Sequence, residues 1–250
     1  MSEEEKKAEE RKNHSKEEII EIFKTTTKNC YAPIVEDKDS TDPRVSKFGG
    51  RAPYLPKDGK IHKCPDCGEP TSLVFSLYVP TLPEEIQNYF PEDERESVVA
   101  GFSCEYCYEG QHVIRYRGSE INELLYDEID EEHEFNEHRV VTKWEQQQMI
   151  IQDTDSLVEI HPELTQDDID LINDMIVDTD LEDLRKKPPT YLGGWADFVQ
   201  GNDQPEGTVL LLEMEESEAS TNTWGDAGTA QVWMTTGDDF GDFTMRYSCC

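Results

Sequence analysis

Lys47-Phe-Gly-Gly-Arg-Ala-Pro-Tyr-Leu-Pro56 and Tyr191-Leu-Gly-Gly-Trp-Ala-Asp-Phe-Val-Gln200 share one layout. In each, Ala stands two positions after Gly-Gly, and an aromatic or apolar pair follows. Each leads to an apolar stretch that reads as a strand, Leu73-Val-Phe-Ser-Leu-Tyr-Val79 after the first and Val209–Met214 after the second. Paired glycines permit positive φ and close backbone approach, so Gly49, Gly50, Gly193 and Gly194 read as structural turns. They form no phosphate loop, because neither Gly-Lys-Ser/Thr nor a helix start follows them. The repeat predicts a duplicated architecture of two related β-rich halves.

The rest of the chain fills in this plan. Residues 1–14 are almost all charged or polar and read as a disordered tail. Ser15-x-x-Glu18 is a capping box ahead of Ile19, Ile20, Ile22 and Phe23, which predicts a short helix ending near Lys28. Ser97–Ser103 and His112–Arg117 read as strands. Ile121–Glu137 reads as helical at first and then as a solvated acidic run. Val140–Trp144 and Met149–Gln152 read as two strands, and Thr165-x-x-Asp168 caps a helix with Ile169, Leu171, Ile172, Met175 and Ile176 on its apolar face. Gln231–Thr235 and Phe243–Tyr247 are the last predicted strands. The N-terminal half is therefore 15–145, and the C-terminal half, the second repeat, is 146–250.

The first half carries Cys64-Pro-Asp-Cys67 and Cys104-Glu-Tyr-Cys107. Two thiolates three residues apart on a tight turn hold one metal ion from one side, and a second pair completes the tetrahedron that Zn²⁺ prefers. The expectation is one structural Zn²⁺ on Cys64, Cys67, Cys104 and Cys107, in a knuckle inserted into the sheet. The 36-residue gap between the pairs leaves room for a strand and a loop. Competing readings are four unrelated thiols, or His62 or His112 as a substitute ligand. Four cysteines close the site, so it offers no open position for catalysis.

Composition narrows the partners. The formal net charge is −33, with 23 Lys and Arg against 56 Asp and Glu. Fourteen of the basic residues precede position 64. From Trp144 onward, four basic residues face 24 acidic ones, a local net of −20. Such charge repels phosphate backbones and suits a strongly basic partner; the competing reading is a solubility adaptation with no specific partner. Residues 47–117 hold eight basic residues against eleven acidic, so the knuckle has no basic footprint for nucleic acid either. No apolar run approaches the ~18 residues of a membrane helix. The start, Met1-Ser-Glu-Glu-Glu-Lys-Lys7, has no signal-peptide core. Seven cysteines, four in metal spacing, fit a reducing compartment, so the expected location is the cytoplasm, with the nucleus as an addition.

No catalytic motif stands out. Trp224-Gly225-Asp226-Ala227-Gly228 reads as a tight turn in which Asp226 caps its own backbone. Asp238, Asp239 and Asp242 lack the spacing of an EF-hand loop, as does Asp153-x-Asp155. Serines lack a Gly-x-Ser-x-Gly setting.

Gly193-Gly-x-Ala-Asp-Phe-Val-Gln200, Leu210-Leu-Leu-Glu-Met214, Trp224-Gly-Asp-Ala-Gly228 and Asp242-Phe-Thr244 resemble, in this order, the C-terminal half of the bacterial YwqG family. Lys47-Phe-Gly-Gly50, Tyr54-Leu-Pro56 and Leu73-Val-Phe75 are similar to its N-terminal half. Gly-Gly followed by a two-cysteine knuckle also resembles programmed cell death protein 2, grouped with YwqG in one superfamily. The resemblance implies a duplicated α+β fold of mainly antiparallel, β-rich halves with peripheral helices, without established enzymatic activity. It also implies protein partners: the eukaryotic relatives escort a newly made basic ribosomal protein, and some bacterial relatives are suspected toxin neutralisers. The expected function is thus a non-enzymatic protein-binding module, a chaperone-like escort for a basic client. The alternatives are an immunity or stress-response protein that inhibits a toxin, and an uncharacterised hydrolase using a carboxylate such as Asp226.

Overall fold

The computed structural model describes residues 13–58, 62–104, 106–107, 110–126, 138–177, 181–198, 204–220, 224, 226, 228–237 and 240–249. Positions 1–12 of the tail, the acidic run 127–137, Gly225, Ala227, the pair Asp238-Asp239 and Cys250 lie outside them.

Helix α1 (Lys16–Thr25) begins as its sequence dictates: the Ser15 hydroxyl accepts from Glu18 N, and the Glu18 carboxylate accepts from Ser15 N. It ends at Thr25 because three successive threonines turn back on it. The hydroxyls of Thr25, Thr26 and Thr27 donate to the carbonyls of Ile22, Phe23 and Lys24. Short helices follow at α2 (Glu84–Gln87) and α3 (Thr154–Ile160), and a longer one at α4 (Gln166–Val177). The Thr165–Asp168 box starts α4 as read: Asp168 N donates to the Thr165 hydroxyl, and the Asp168 carboxylate accepts from Thr165 N and Oγ1.

The strands in chain order are β1 (Lys28–Asp37), β2 (Lys47–Gly49), β3 (Pro53–Tyr54), β4 (Ser72–Tyr78), β5 (Ser97–Ser103) and β6 (His112–Arg117). Then come β7 (Leu125–Tyr126), β8 (His138–Met149), β9 (Thr190–Gly193), β10 (Thr208–Met214), β11 (Thr229–Thr235) and β12 (Phe243–Ser248). Ten of them form one sheet in the order β12-β11-β10-β9-β1-β8-β2-β4-β5-β6, and every neighbouring pair is antiparallel. β3 and β7 pair separately. The sheet curls until its two outermost strands, β6 and β12, come together in a nearly closed barrel. There the Arg115 guanidinium of β6 lies 4.7 Å from the Phe240 ring centroid and 5.9 Å from that of Phe243. The architecture is α+β, mostly antiparallel sheet with few helices.

Three local expectations change. β1 was not foreseen. Its Pro33 and its polar end, Glu36-Asp37, hide a strand that is held by pairing with β8, far away in sequence. Val140–Trp144 and Met149–Gln152 read as two strands, but β8 runs through Glu145–Gln148 without interruption because they pair with Asn29–Ala32, and it ends at Met149, so Ile150–Gln152 are not in a strand. Residues 118–123 form a 3₁₀ turn rather than an α-helix, followed by β7. The position that separates the two predicted halves, 145/146, falls inside β8.

The largest apolar cluster joins both ends of the sheet order: Phe48, Phe75 and Val99 pack with Leu192, Leu212 and Met234, and Val79, Leu82, Ile86 and Phe90 fill the space between. A second cluster lies under the helices, around Phe23, Ile151, Leu157, Ile172 and Met175. Asn13 and His14 attach the end of the N-terminal tail to α4, through Asn13 Nδ2 to Asp167 (2.8 Å) and His14 N to Asp168 (2.7 Å).

Candidate metal centre

The four cysteines converge because β4 and β5 pair antiparallel. Ser72 at the start of β4 faces Ser103 at the end of β5. The first cysteine pair precedes that point and the second follows it, so both knuckles hang from one end of the hairpin. The 36-residue gap is therefore one strand out, a loop with α2, and one strand back. The first knuckle is shaped by its backbone: Gly68 N donates to Cys64 O (3.0 Å), with Gly68 at φ 78°. Cys64 N donates to Glu69 O (2.8 Å). Gly110 lets the chain pass over the sulfur, since a Cβ there would sit 2.0 Å from Cys64 Sγ.

The four Sγ atoms lie within 4.8 Å of one another. Cys64 and Cys107 are 3.5 Å apart, as are Cys67 and Cys104. Tetrahedral thiolates at a zinc–sulfur bond of 2.3 Å are about 3.8 Å apart, between the two 3.5 Å contacts and the 4.8 Å that bounds the set. Asp66 N and Cys67 N both point at Cys64 Sγ, at 3.4 and 3.5 Å. Burial works against the Cys64 thiolate, but these donors and the neighbouring thiols outweigh it and bring Cys64 down to about 7. Cys67 is pushed up to about 12 although Glu69 N donates to it, because burial and the other three thiols oppose its charge. A divalent cation removes that conflict by accepting all four as thiolates. The cluster can therefore hold a metal ion, and four protein ligands leave it no open coordination position.

The two histidines considered as substitute ligands are engaged elsewhere. His62 Nε2 lies 2.7 Å from Pro53 O, and its ring packs on Phe102. His112 stacks on the same Phe102 ring, with centroids 5.1 Å apart and planes 13° from parallel, and lies 6.4 Å from the His62 ring. The paired glycines are turns: Gly49 and Gly50 have φ 63° and 77°, and Gly193 and Gly194 have 65° and 75°. Of the other turn motif, Trp224 is buried in the main core, Asp226 is exposed, and a Cβ at Gly228 would overlap Trp224 O.

Sequence reasoning missed a second polar centre. Glu213 on β10 is fully buried. Its Oε1 accepts from Tyr191 OH (2.6 Å) and Lys187 Nζ (3.1 Å), and its Oε2 accepts from Asp197 N (2.8 Å) and Gln231 Nε2 (3.1 Å). Lys187 also bonds Glu215 and lies 3.4 Å from Asp197. Burial alone would lower the lysine, but Glu213, Asp197 and Glu215 raise it above its ordinary value. Burial lifts the Glu213 carboxyl above its ordinary value; Lys187, the Tyr191 hydroxyl and Asp197 N offset part of that rise, and the charge of Asp197 adds to it. These carboxylates also sit close enough to hold a metal ion, yet the ammonium of Lys187 already lies among them. The only sequence sign was a lysine next to Pro188-Pro189 in an acid-rich region.

A profile described as "Domain of unknown function (DUF1963)" matches residues 46–249. That span begins just before β2, takes in both cysteine knuckles and ends after β12. None of the curated proteins matches the chain. Most of the sheet and the whole cysteine cluster fall within the matched region, and the chain belongs to the DUF1963 family.

Proposed function

We propose that this protein is a non-enzymatic binding module that escorts a basic, ribosomal-type client protein in the cytoplasm, and in the nucleus where one exists. The observation that carries this reading is the charge: −33 overall, with four basic residues against 24 acidic ones from Trp144 onward. A field of that sign speeds encounter with a basic client and competes with RNA for it. The likeness to YwqG and to programmed cell death protein 2 points the same way. Among the described residues, no helix is long and apolar enough to cross a membrane.

We further infer that the fold is an internal duplication and that the cysteine cluster takes Zn²⁺. The first is supported by the sheet order. Outward from the central β1–β8 pair run β9-β10-β11-β12 on one side and β2-β4-β5-β6 on the other. The ladder slips at Leu73/Phe75 in one arm and at Leu210/Leu212 in the other. The second is supported by the all-thiolate donor set and its near-tetrahedral spacing. Protein purified under reducing conditions is expected to carry about one equivalent of zinc, and a Cys64→Ser, Cys104→Ser variant to lose it. Less than about half an equivalent of any metal in the wild type would remove the assignment.

The function is tested by affinity purification of the tagged protein from its own cells at low and moderate salt, with mass spectrometric identification of partners. One dominant Lys/Arg-rich partner that dissociates as salt rises supports the escort reading. A single acidic or neutral enzyme, bound equally at both salts, sinks it and favours an inhibitor.

A further inference from the structure

β8 is twelve residues long, but β2 beside it has only three. Their pairing covers His138–Val140, and one further bond joins Val141 N to Ser46 O. Beyond that point β8 continues to Met149, paired on its other side with β1 from Arg139 to Val141 and, past a bulge at Thr142, from Lys143 to Met149. Thr142–Gln148 therefore lie in the middle of a ten-stranded sheet and yet, among the described residues, have one edge with no neighbouring strand. Apart from their ladder to β1, no backbone–backbone hydrogen bond reaches these seven residues among the described part of the chain. All of them except Trp144 are exposed. A row of amides and carbonyls left in water is a template for another strand.

The comparable free edge on β1 is guarded. β9 pairs β1 only at Cys30 and Tyr31, and two residues on stands the half-buried Pro33, which has no N–H to offer. Nothing similar protects β8: Thr142-Lys-Trp-Glu-Gln-Gln-Gln148 has no proline, no glycine and no bulge after Val141/Lys143. Its side chains suit an extended partner, because glutamines pair their amides across strands and Trp144 offers a half-buried ring beside the slot.

We propose that the free edge of β8, Thr142–Gln148, takes an extended Lys/Arg-bearing segment of a partner protein as an added strand. Main-chain hydrogen bonds supply affinity with little sequence demand, and charge supplies selection. The net charge of −33 selects a basic segment over an acidic one. A second copy of this acidic chain is disfavoured by the same charge. This inference rests on the protein-binding reading above but concerns one edge, so the two can fail separately.

The test is segment-resolved hydrogen exchange on the full chain with three blocked heptapeptides of alternating charged and β-branched residues. The first carries lysines, the second carries glutamates, and the third is the lysine peptide with every other backbone nitrogen methylated. The lysine peptide is expected to slow exchange several-fold within 141–149, with the other two leaving it unchanged. Equal protection by the methylated peptide, or none by the lysine peptide, overturns the proposal. So does a free protein that sediments as a dimer with 141–149 already protected on both edges, since the occupant is then a second copy. A cellular client that binds while 141–149 still exchange freely overturns strand addition and leaves the escort reading standing. Protection by the lysine peptide with no cellular client does the reverse.

Discussion

Lys187 Nζ lies 3.1 Å from Glu213 Oε1, joining a side chain that is only 11% exposed to one that is fully buried. The pair is structural chemistry at high stakes, because removing one partner leaves a charge in a medium that cannot solvate it. Lys187→Met is expected to cost about 3–5 kcal/mol, the usual penalty for an orphaned buried charge. Adding Glu213→Gln should recover much of that loss, since the amide still fits Tyr191 and Gln231. Urea denaturation of the single and double variants checks both. A single variant within about 1 kcal/mol of wild type would mean that Glu213 is protonated or hydrated in the native state.

Gly194 shows why the second Gly-Gly turn tolerates nothing larger. Its φ is 75°, and a Cβ would lie 2.5 Å from Met149 Sδ and 3.0 Å from Cys30 Cβ. Gly194→Ala should lose about 1–2 kcal/mol to left-handed backbone and about 1–3 more to overpacking. Gly207 is the control: its φ is 71°, and no heavy atom lies within 4 Å of the added carbon. Gly207→Ala should show the backbone loss alone. Equal thermal shifts for the two would refute the packing argument.

Asp168 sets the acid limit of the helical layer. Burial alone would raise its carboxyl, but donors from Thr165 and His14 reverse that and hold it well below the usual carboxylate range. A depressed folded-state pKa gives stability that is present above the unfolded value, about 3.9, and lost as pH falls toward the folded one. Wild-type stability should therefore drop below about pH 4 more steeply than that of Asp168→Asn, which should be less stable at neutral pH and flatter in acid. Parallel pH profiles for the two would show that the site does not couple to folding.

The cysteine cluster was legible because its chemistry is local: each knuckle is two cysteines with two residues between. β4, β5 and β6 and the strands from β10 to β12 were legible from apolar runs bounded by turn residues. β1 was not, although it is the strand that joins the two arms of the sheet. Its Cys30, Tyr31 and Ala32 are buried in succession, so no alternation marks it, and its partners β8 and β9 lie about a hundred residues or more away. The Lys187–Glu213 centre was hidden for a related reason. Glu213 looked like one more acid in an acidic half, and only the pairing of β10 with β9 and β11 brings Tyr191 and Gln231 onto it.

β1 also bears on cooperativity. Because it pairs with both β8 and β9, no cut through the sheet leaves two independent cores, and the largest apolar cluster draws on both arms. Unfolding should then be one transition. The chain supplies its own reporters: all four tryptophans lie from Trp144 onward, while all four clustered cysteines lie before position 108. If the protein is loaded with zinc, urea should release the metal and shift the tryptophan fluorescence at the same midpoint. Zinc release at clearly lower urea than the fluorescence change would mean that the β4–β5 arm opens by itself. The β1–β8 pair would then be a hinge between two units rather than the spine of one.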